Sequence, residues 1–336
     1  MTRFDSIAGF EAALANPPGP DTAARAAAEA RQAQLTKPPG SLGRLEEIAV
    51  FMAGWQGRER PAIERGRAVV FAGNHGVVAQ GVSAFPAAVT AQMVANFAAG
   101  GAAINALAAA AGLSLGVVAL DLDKPTADFT HSPALTDAEC LAALNAGADV
   151  VSDADLLVLG EMGIGNTTSA SALAAASFGG RAAEWVGPGT GVDGAGIARK
   201  IAAVEAGLAR HADALDRPFE ILRRLGGREI VAIAGAVIAA RQARVPVVLD
   251  GFIASAAIAP LARAVPAITD HLLAGHCSAE PGHRRLLERL DLKPLLTLGM
   301  RLGEGSGAAV ATGVIRAALA AHAGMATFAE AGVAAG

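Results

Sequence analysis

Tyrosine is absent from the 336 residues, and tryptophan occurs only twice. Burial therefore has to come from small aliphatic side chains. Much of the 53% hydrophobic fraction is alanine, and glycine reaches 40 residues. That mixture suits close packing of helices on a sheet better than a core of bulky groups. Charge is also scarce, at 17% of residues with a net of −4. No basic field exists to hold a phosphate backbone, so no nucleic-acid partner is expected. Cys140 and Cys277 are the only cysteines, with no close-spaced pair and no zinc pattern. Free thiols in a reducing compartment fit this better than a disulfide framework.

An unbroken long apolar run is missing too. The start, "MTRFDSIAGFEAALANPPGP", places Asp5 and Glu11 where an export signal needs an apolar stretch. From Gly76 to Leu120 there is no Asp, Glu, Lys or Arg, but Gln80, Pro86, Gln92, Asn96, Asn105 and the pair Gly100-Gly101 interrupt it. A spanning helix needs about 20 predominantly apolar residues in a row. Buried soluble helices, no membrane partner and a cytoplasmic location are expected.

What is present is a recurring unit: a short aliphatic run, a glycine-containing turn, then an alanine-rich helical pattern. The runs are Arg67 to Gly73, Leu115 to Leu122, Ala154 to Gly163, Val245 to Gly251 and Asp270 to His276. Continuous apolar runs suit strands covered on both faces, hence a parallel sheet. The alternation predicts an α/β fold, a doubly wound, mostly parallel sheet flanked by helices. Residues 58–304 are expected to form this core. The two ends, 1–57 and 305–336, are expected to join as a small helical domain. With a chain of this length, a large domain plus a smaller one is the natural division.

Polar clusters fall at the carboxyl ends of the expected strands, where such sheets bind ligands. "LGEMGIGNTTSASAL" passes from Glu161 through Gly163 and Gly165 into a helix start, a possible phosphate cradle or an ordinary capped turn. It lacks the Gly-Lys-Ser/Thr ending of a Walker loop. "VGPGTGVD" precedes a helix carrying Lys200. Asp250 ends a strand before Gly251, a place where a carboxylate often accepts from a vicinal diol. "AGHCSAEPGH" gathers His276, Cys277, Ser278, Glu280 and His283, without the second cluster a zinc site needs. His75, alone at a turn, reads as a structural hydrogen-bonder. Glu304, the one acid in "LGMRLGEGSGAAVATGVIRAALAA", has two readings. A carboxylate near a helix start is stabilised by the dipole; between two glycines it could instead be a base that a ligand approaches closely.

Eight motifs occur in a telling order: "TKPPGSLGRLE", "FAGNHGVVAQGVSAFP", "GEMGIGNTTSASAL", "VGPGTGVD", "LGGREI", "VVLDGFIASAA", "GHCSAEPGH" and "LGMRLGEGSGAAVA". Across Leu35 to Ala321 the chain resembles the nicotinate-nucleotide–dimethylbenzimidazole phosphoribosyltransferase family of cobalamin biosynthesis. One departure is Asn74, where many relatives have Asp before His-Gly.

The resemblance implies transfer of the phosphoribosyl group of nicotinate mononucleotide to 5,6-dimethylbenzimidazole, giving α-ribazole 5′-phosphate and nicotinate. It implies Glu304 as general base and Glu161 as a supporting acid. Gly163, Lys200, Ser278 and Arg301 match nucleotide- and phosphate-binding positions, and Asp250 with Gly251 the ribose contact. Phe85, Gln92 and Leu302 are candidates for the benzimidazole pocket. No cofactor and no metal are expected, because a departing pyridinium needs no Lewis acid. A homodimer is expected, with the alanine-rich terminal helices and the helix after Glu304 shared across a two-fold axis. Two rival readings are a related phosphoribosyltransferase with another azole or phenolic acceptor, and a non-catalytic nicotinate mononucleotide-binding module. A 5-phosphoribosyl diphosphate enzyme fits less well, since Asp250 stands without the acidic partner such enzymes carry before their phosphate loop.

Overall fold

Alternating side chains of the central strands divide between two apolar layers, and this division builds the molecule. The computed structural model describes residues 2–334. The strands are β1 (Gly66–Ala72), β2 (Ser114–Ala119), β3 (Leu156–Met162), β4 (Val247–Leu249), β5 (Leu272–His276) and β6 (Pro294–Leu296). They form one sheet of order β2-β1-β3-β4-β5-β6, and every pairing is parallel. Val69, Phe71, Leu157, Leu159, Val247 and Leu249 face one layer. Ala68, Val70, Leu156, Val158, Val248 and Leu273 face the other. Both layers are covered by helices, so the doubly wound α/β expectation holds.

On the first face, helix Arg228–Gln242 packs beside Asp137–Ala148, and Phe252–Ala264 beside Asn166–Phe178. On the second, Arg44–Gln56, Ala103–Ala110 and Ser306–Gly324 share the layer with the sheet. The two chain ends meet there. Thr22–Gln34 lies against Arg44–Gln56, which packs on Ser306–Gly324. Arg31 donates to the carbonyls of His322 (2.9 Å) and Met325 (3.0 Å), and Gln32 Nε2 meets His322 Nδ1 at 2.8 Å. The proline-rich motif before Arg44–Gln56 is pinned by a Lys37–Glu46 ion pair of 2.8 Å. Arg44 donates from there to the Pro294 carbonyl at the start of β6 (2.7 Å).

Two expectations change. The helix after Glu304 was expected to be shared with a second subunit. Its Ala308, Ala309, Ala311, Ile315 and Ala318 are instead buried within the chain's own layer, against β3 and β5. The charge-free stretch, by contrast, is largely at the surface. Ala88–Ala110 is long and apolar enough to cross a membrane by length and composition, yet little of it is buried. Left-handed Gly100 (φ 80°) ends helix Ala88–Ala99, and a separate helix, Ala103–Ala110, follows. At 1.5 Å per residue, the longer piece reaches only about 18 Å, short of a hydrocarbon core of about 30 Å.

Candidate active site

The strand order reverses at β1 and β3: the chain leaves β1 outward to β2 and returns to β3 on the other side. Open parallel sheets bind ligands outside the carboxyl ends of the strands at such a point. A basin of about 80 Å³ lies there, lined by Glu161, Gly163, Thr167, Gly251, His276, Ser278, Arg301 and Leu302 among others. A larger hollow of about 840 Å³ sits far from it, among the terminal helices and lined by Arg25, Lys37, Phe51 and Trp55. Volume favours the second; the convergence of acids, glycine turns and a cationic end singles out the first.

Glu304 follows Gly303 of the basin wall and sits on an unusual backbone. Gly303, Glu304 and Gly305 have φ of 82°, 65° and 85°, and a non-glycine residue in this region carries strain of about 1–3 kcal/mol. The surroundings enforce it. The Glu304 N–H donates to the Glu161 carbonyl (3.2 Å). Asp250 accepts from the Gly305 N–H (3.1 Å) and the Ala308 N–H (2.9 Å). The turn rests directly on Gly160 of β3, where an added Cβ would lie 2.3 Å from the Gly305 nitrogen. Asp250, rather than Glu304, therefore satisfies the free amides at the start of helix Ser306–Gly324. The dipole reading of Glu304 loses its object, and its Oε2 is buried without a hydrogen-bond partner among the described residues.

Burial raises the Glu304 carboxyl above its usual range. Glu161 lies well above that range, chiefly through burial and then through the charges of Asp250 and Glu229; a hydrogen bond from Asn166 opposes the rise. Asp250 is pushed up to about 7 by burial, against the backbone amides that favour its charged form.

The opposite end is cationic. Lys200, 2% exposed, donates to Thr167 Oγ1 (2.9 Å) and the Gly187 carbonyl (3.1 Å). Burial lowers its pKa and the neighbouring Glu280 raises it. Arg301 reaches the Gly189 carbonyl at 3.3 Å. Among the described residues no three His, Cys, Asp or Glu side chains converge as a metal-ligand set.

Beneath the glycine turns lies a buried network that sequence reasoning missed. His75 Nε2 meets Glu229 Oε1 at 2.5 Å, and His75 Nδ1 meets Ser169 Oγ at 3.0 Å. His75 is thus the structural hydrogen-bonder expected. Its partners, 94 and 154 residues away, carry no local signal. Asn74 also has a local reason: its amide donates to the Leu122 carbonyl (2.9 Å), which an ionised Asp could not do.

Of the expected site residues, Glu161, Gly163, Gly251, Ser278, Arg301 and Leu302 line the basin. Lys200 and Glu304 adjoin it through Thr167 and Gly303. Asp250, the expected ribose contact, accepts the Gly305 and Ala308 amides, one on each oxygen. Phe85 and Gln92 do not reach the wall. Phe85 is 47% exposed on the loop after β1, and Gln92 faces solvent on helix Ala88–Ala99. That helix is nonetheless joined to the site, since Thr90 Oγ1 accepts from the Ile164 N–H (3.2 Å).

A family model described as Phosphoribosyltransferase matches residues 18–333. A nicotinate-nucleotide–dimethylbenzimidazole phosphoribosyltransferase of Novosphingobium aromaticivorans is 72% identical over 337 residues, covering 100% of both chains. The enzyme of that name from Mesorhizobium japonicum is 61% identical and covers 98% of each. Among solved structures, the corresponding enzyme of Thermus thermophilus superposes with a TM-score of 0.87 at 44% identity, covering 94% of this chain and 100% of that one.

Proposed function

The chain belongs to the nicotinate-nucleotide–dimethylbenzimidazole phosphoribosyltransferase family, and from that premise we propose how its basin transfers phosphoribose from nicotinate mononucleotide to 5,6-dimethylbenzimidazole. One nitrogen of the benzimidazole attacks the anomeric carbon from the face opposite nicotinate. The bond to nicotinate breaks, its electrons return to the pyridinium ring, and the other benzimidazole nitrogen loses its proton to Glu304. Attack from the opposite face turns the β-linkage into α. The observation that carries this reading is the Glu304 side chain, buried, with Oε2 lacking a hydrogen-bond partner among the described residues, on a left-handed turn that follows Gly303 of the basin wall. A raised pKa suits a base working near neutrality. Glu161, pushed further up by burial and by the charges of Asp250 and Glu229, favours its neutral form and supports the acceptor ring. Environments that separate two carboxyls in this way assign their roles.

The phosphate belongs at the cationic end, with Lys200, Arg301 and Ser278. Holding both rings and the ribose in line contributes to the rate by orientation, worth up to roughly 7–11 kcal/mol in favourable cases. Release of nicotinate should require both substrates; absence of release in a direct assay would remove the reading. Lys200→Ala should weaken nicotinate mononucleotide binding at least ~10-fold, as expected for a charge-assisted contact, and leave dimethylbenzimidazole affinity nearly unchanged. Calorimetry of each ligand separates these outcomes. Equal loss for both would make Lys200 structural.

The protein works as a homodimer in the cytoplasm. The buried free thiols of Cys140 and Cys277 suit a reducing compartment. The dimer reading is supported by the exposed, charge-free surface of Ala88–Ala99 and Ala103–Ala110, where Ala91, Ala95, Ala98, Ala106 and Ala109 lie open. Small side chains let a symmetry-related helix approach closely. Light scattering should give about twice the chain mass, and Ala95→Glu with Ala106→Glu should halve it. A wild-type monomer would end this proposal.

A further inference from the structure

His276, at the end of β5, is 1% exposed, yet among the described residues neither ring nitrogen has a hydrogen-bond partner. Its motif neighbour His283 is buried equally and fully engaged. His283 Nδ1 accepts from the Ser278 N–H (2.8 Å), and Nε2 reaches Ser255 Oγ (3.1 Å). The two ring centroids are 6.2 Å apart, so general burial does not explain the difference. His276 Nε2 stands 3.6 Å from Asp250 Oδ1, too far for a hydrogen bond. Packing holds the ring, since an added Cβ on Gly307 would lie 2.2 Å from its Cδ2. The residue lines the basin together with Gly251 and Ser278. Buried polar groups are rarely left unpaired, and a bound ligand is the natural source of the missing bonds.

We infer that His276 binds a ribose hydroxyl of the nucleotide substrate and makes the enzyme select ribose over deoxyribose. This rests on the activity proposed above. Burial disfavours the charged imidazole, and the neutral ring offers one N–H and one acceptor, which match a hydroxyl. A phosphate dianion is a poor partner next to the buried carboxyls of Asp250 and Glu304, and it has Lys200 and Arg301 elsewhere. The benzimidazole N–H is met by Glu304. The ribose diol remains, and Asp250 already serves the Gly305 and Ala308 amides.

The test compares nicotinate mononucleotide with its 2′-deoxy and 3′-deoxy analogues, in wild type, His276→Ala and His276→Asn. Wild type should prefer the ribose substrate roughly 100-fold or more over one deoxy analogue in kcat/KM, as expected when a missing hydroxyl leaves a buried group unpaired. His276→Ala should lose on the ribose substrate and little on that analogue, collapsing the preference below about 10-fold. His276→Asn, which keeps a donor and an acceptor, should restore part of it. Equal loss on all three substrates would make His276 structural and overturn the inference, as would no loss on any. Affinities measured without dimethylbenzimidazole give the same ratios independently of transfer. Binding with ribose preference but no nicotinate release would therefore remove the catalytic reading while sparing His276.

Discussion

Glu304→Gln should fold, bind nicotinate mononucleotide normally and lose about 10²–10⁴-fold in turnover, the usual cost of removing a general base. The amide keeps the shape of the side chain and the left-handed turn, so only basicity is lost. The pH profile supplies a second readout. A base acts when deprotonated, so kcat/KM should fall as pH drops through the Glu304 pKa. Burial raises that pKa, so the acidic limb should lie above the ordinary glutamate value of about 4.3. In Glu304→Gln the limb should vanish along with the rate. Near-normal turnover would exclude Glu304; a limb retained in the variant would assign it to another group.

Gly160→Ala should cost both activity and stability, because the added methyl meets the turn that carries Glu304. The new carbon would lie 2.3 Å from the Gly305 nitrogen and 2.5 Å from the Glu304 carbonyl carbon, both backbone atoms that no rotamer change can clear. The turn has to lift away from β3 and carry Glu304 with it. Displacement of a catalytic group by about 1 Å can cost 10²-fold, and overpacking typically costs about 1–3 kcal/mol of stability. Gly116→Ala is the matched control, a strand glycine whose added carbon would approach nothing closer than 4.0 Å. The two variants differ in position, not chemistry. If Gly160→Ala kept the kcat of Gly116→Ala, the claim that β3 positions the base would fail.

Five of six strands were legible because each lies in a short, largely aliphatic run without alternation. β6 was not. Pro294–Leu296 is three residues long and opens on proline, tolerable at the first position of a strand and at the sheet edge. The glycine turns and Glu304 could be found because their signals are local: a strand end, a helix start, an acid between glycines. Asp250 shows where this reasoning stops. Its place beyond β4 was clear from its strand, but its partners, the amides of Gly305 and Ala308, lie more than 50 residues on. The His75–Glu229–Ser169 network has the same character, since three polar residues far apart in the chain share no period. His276 was visible only as part of a failed zinc pattern. Its significance is an absence of partners, which no sequence displays.

The tethering of Glu304 to β3 and β4 also bears on how such an enzyme can change. A proton acceptor fixed to the sheet cannot drift with the loops around it. Leu302, on the basin wall, is among the few large apolar groups left exposed, at 57%. Variation at this position should shift which flat heterocycle is accepted, while turnover of any ring that docks remains governed by the same carboxylate. Breadth of acceptor use and chemical competence can thus evolve on separate residues, one at the rim and the other anchored in the sheet.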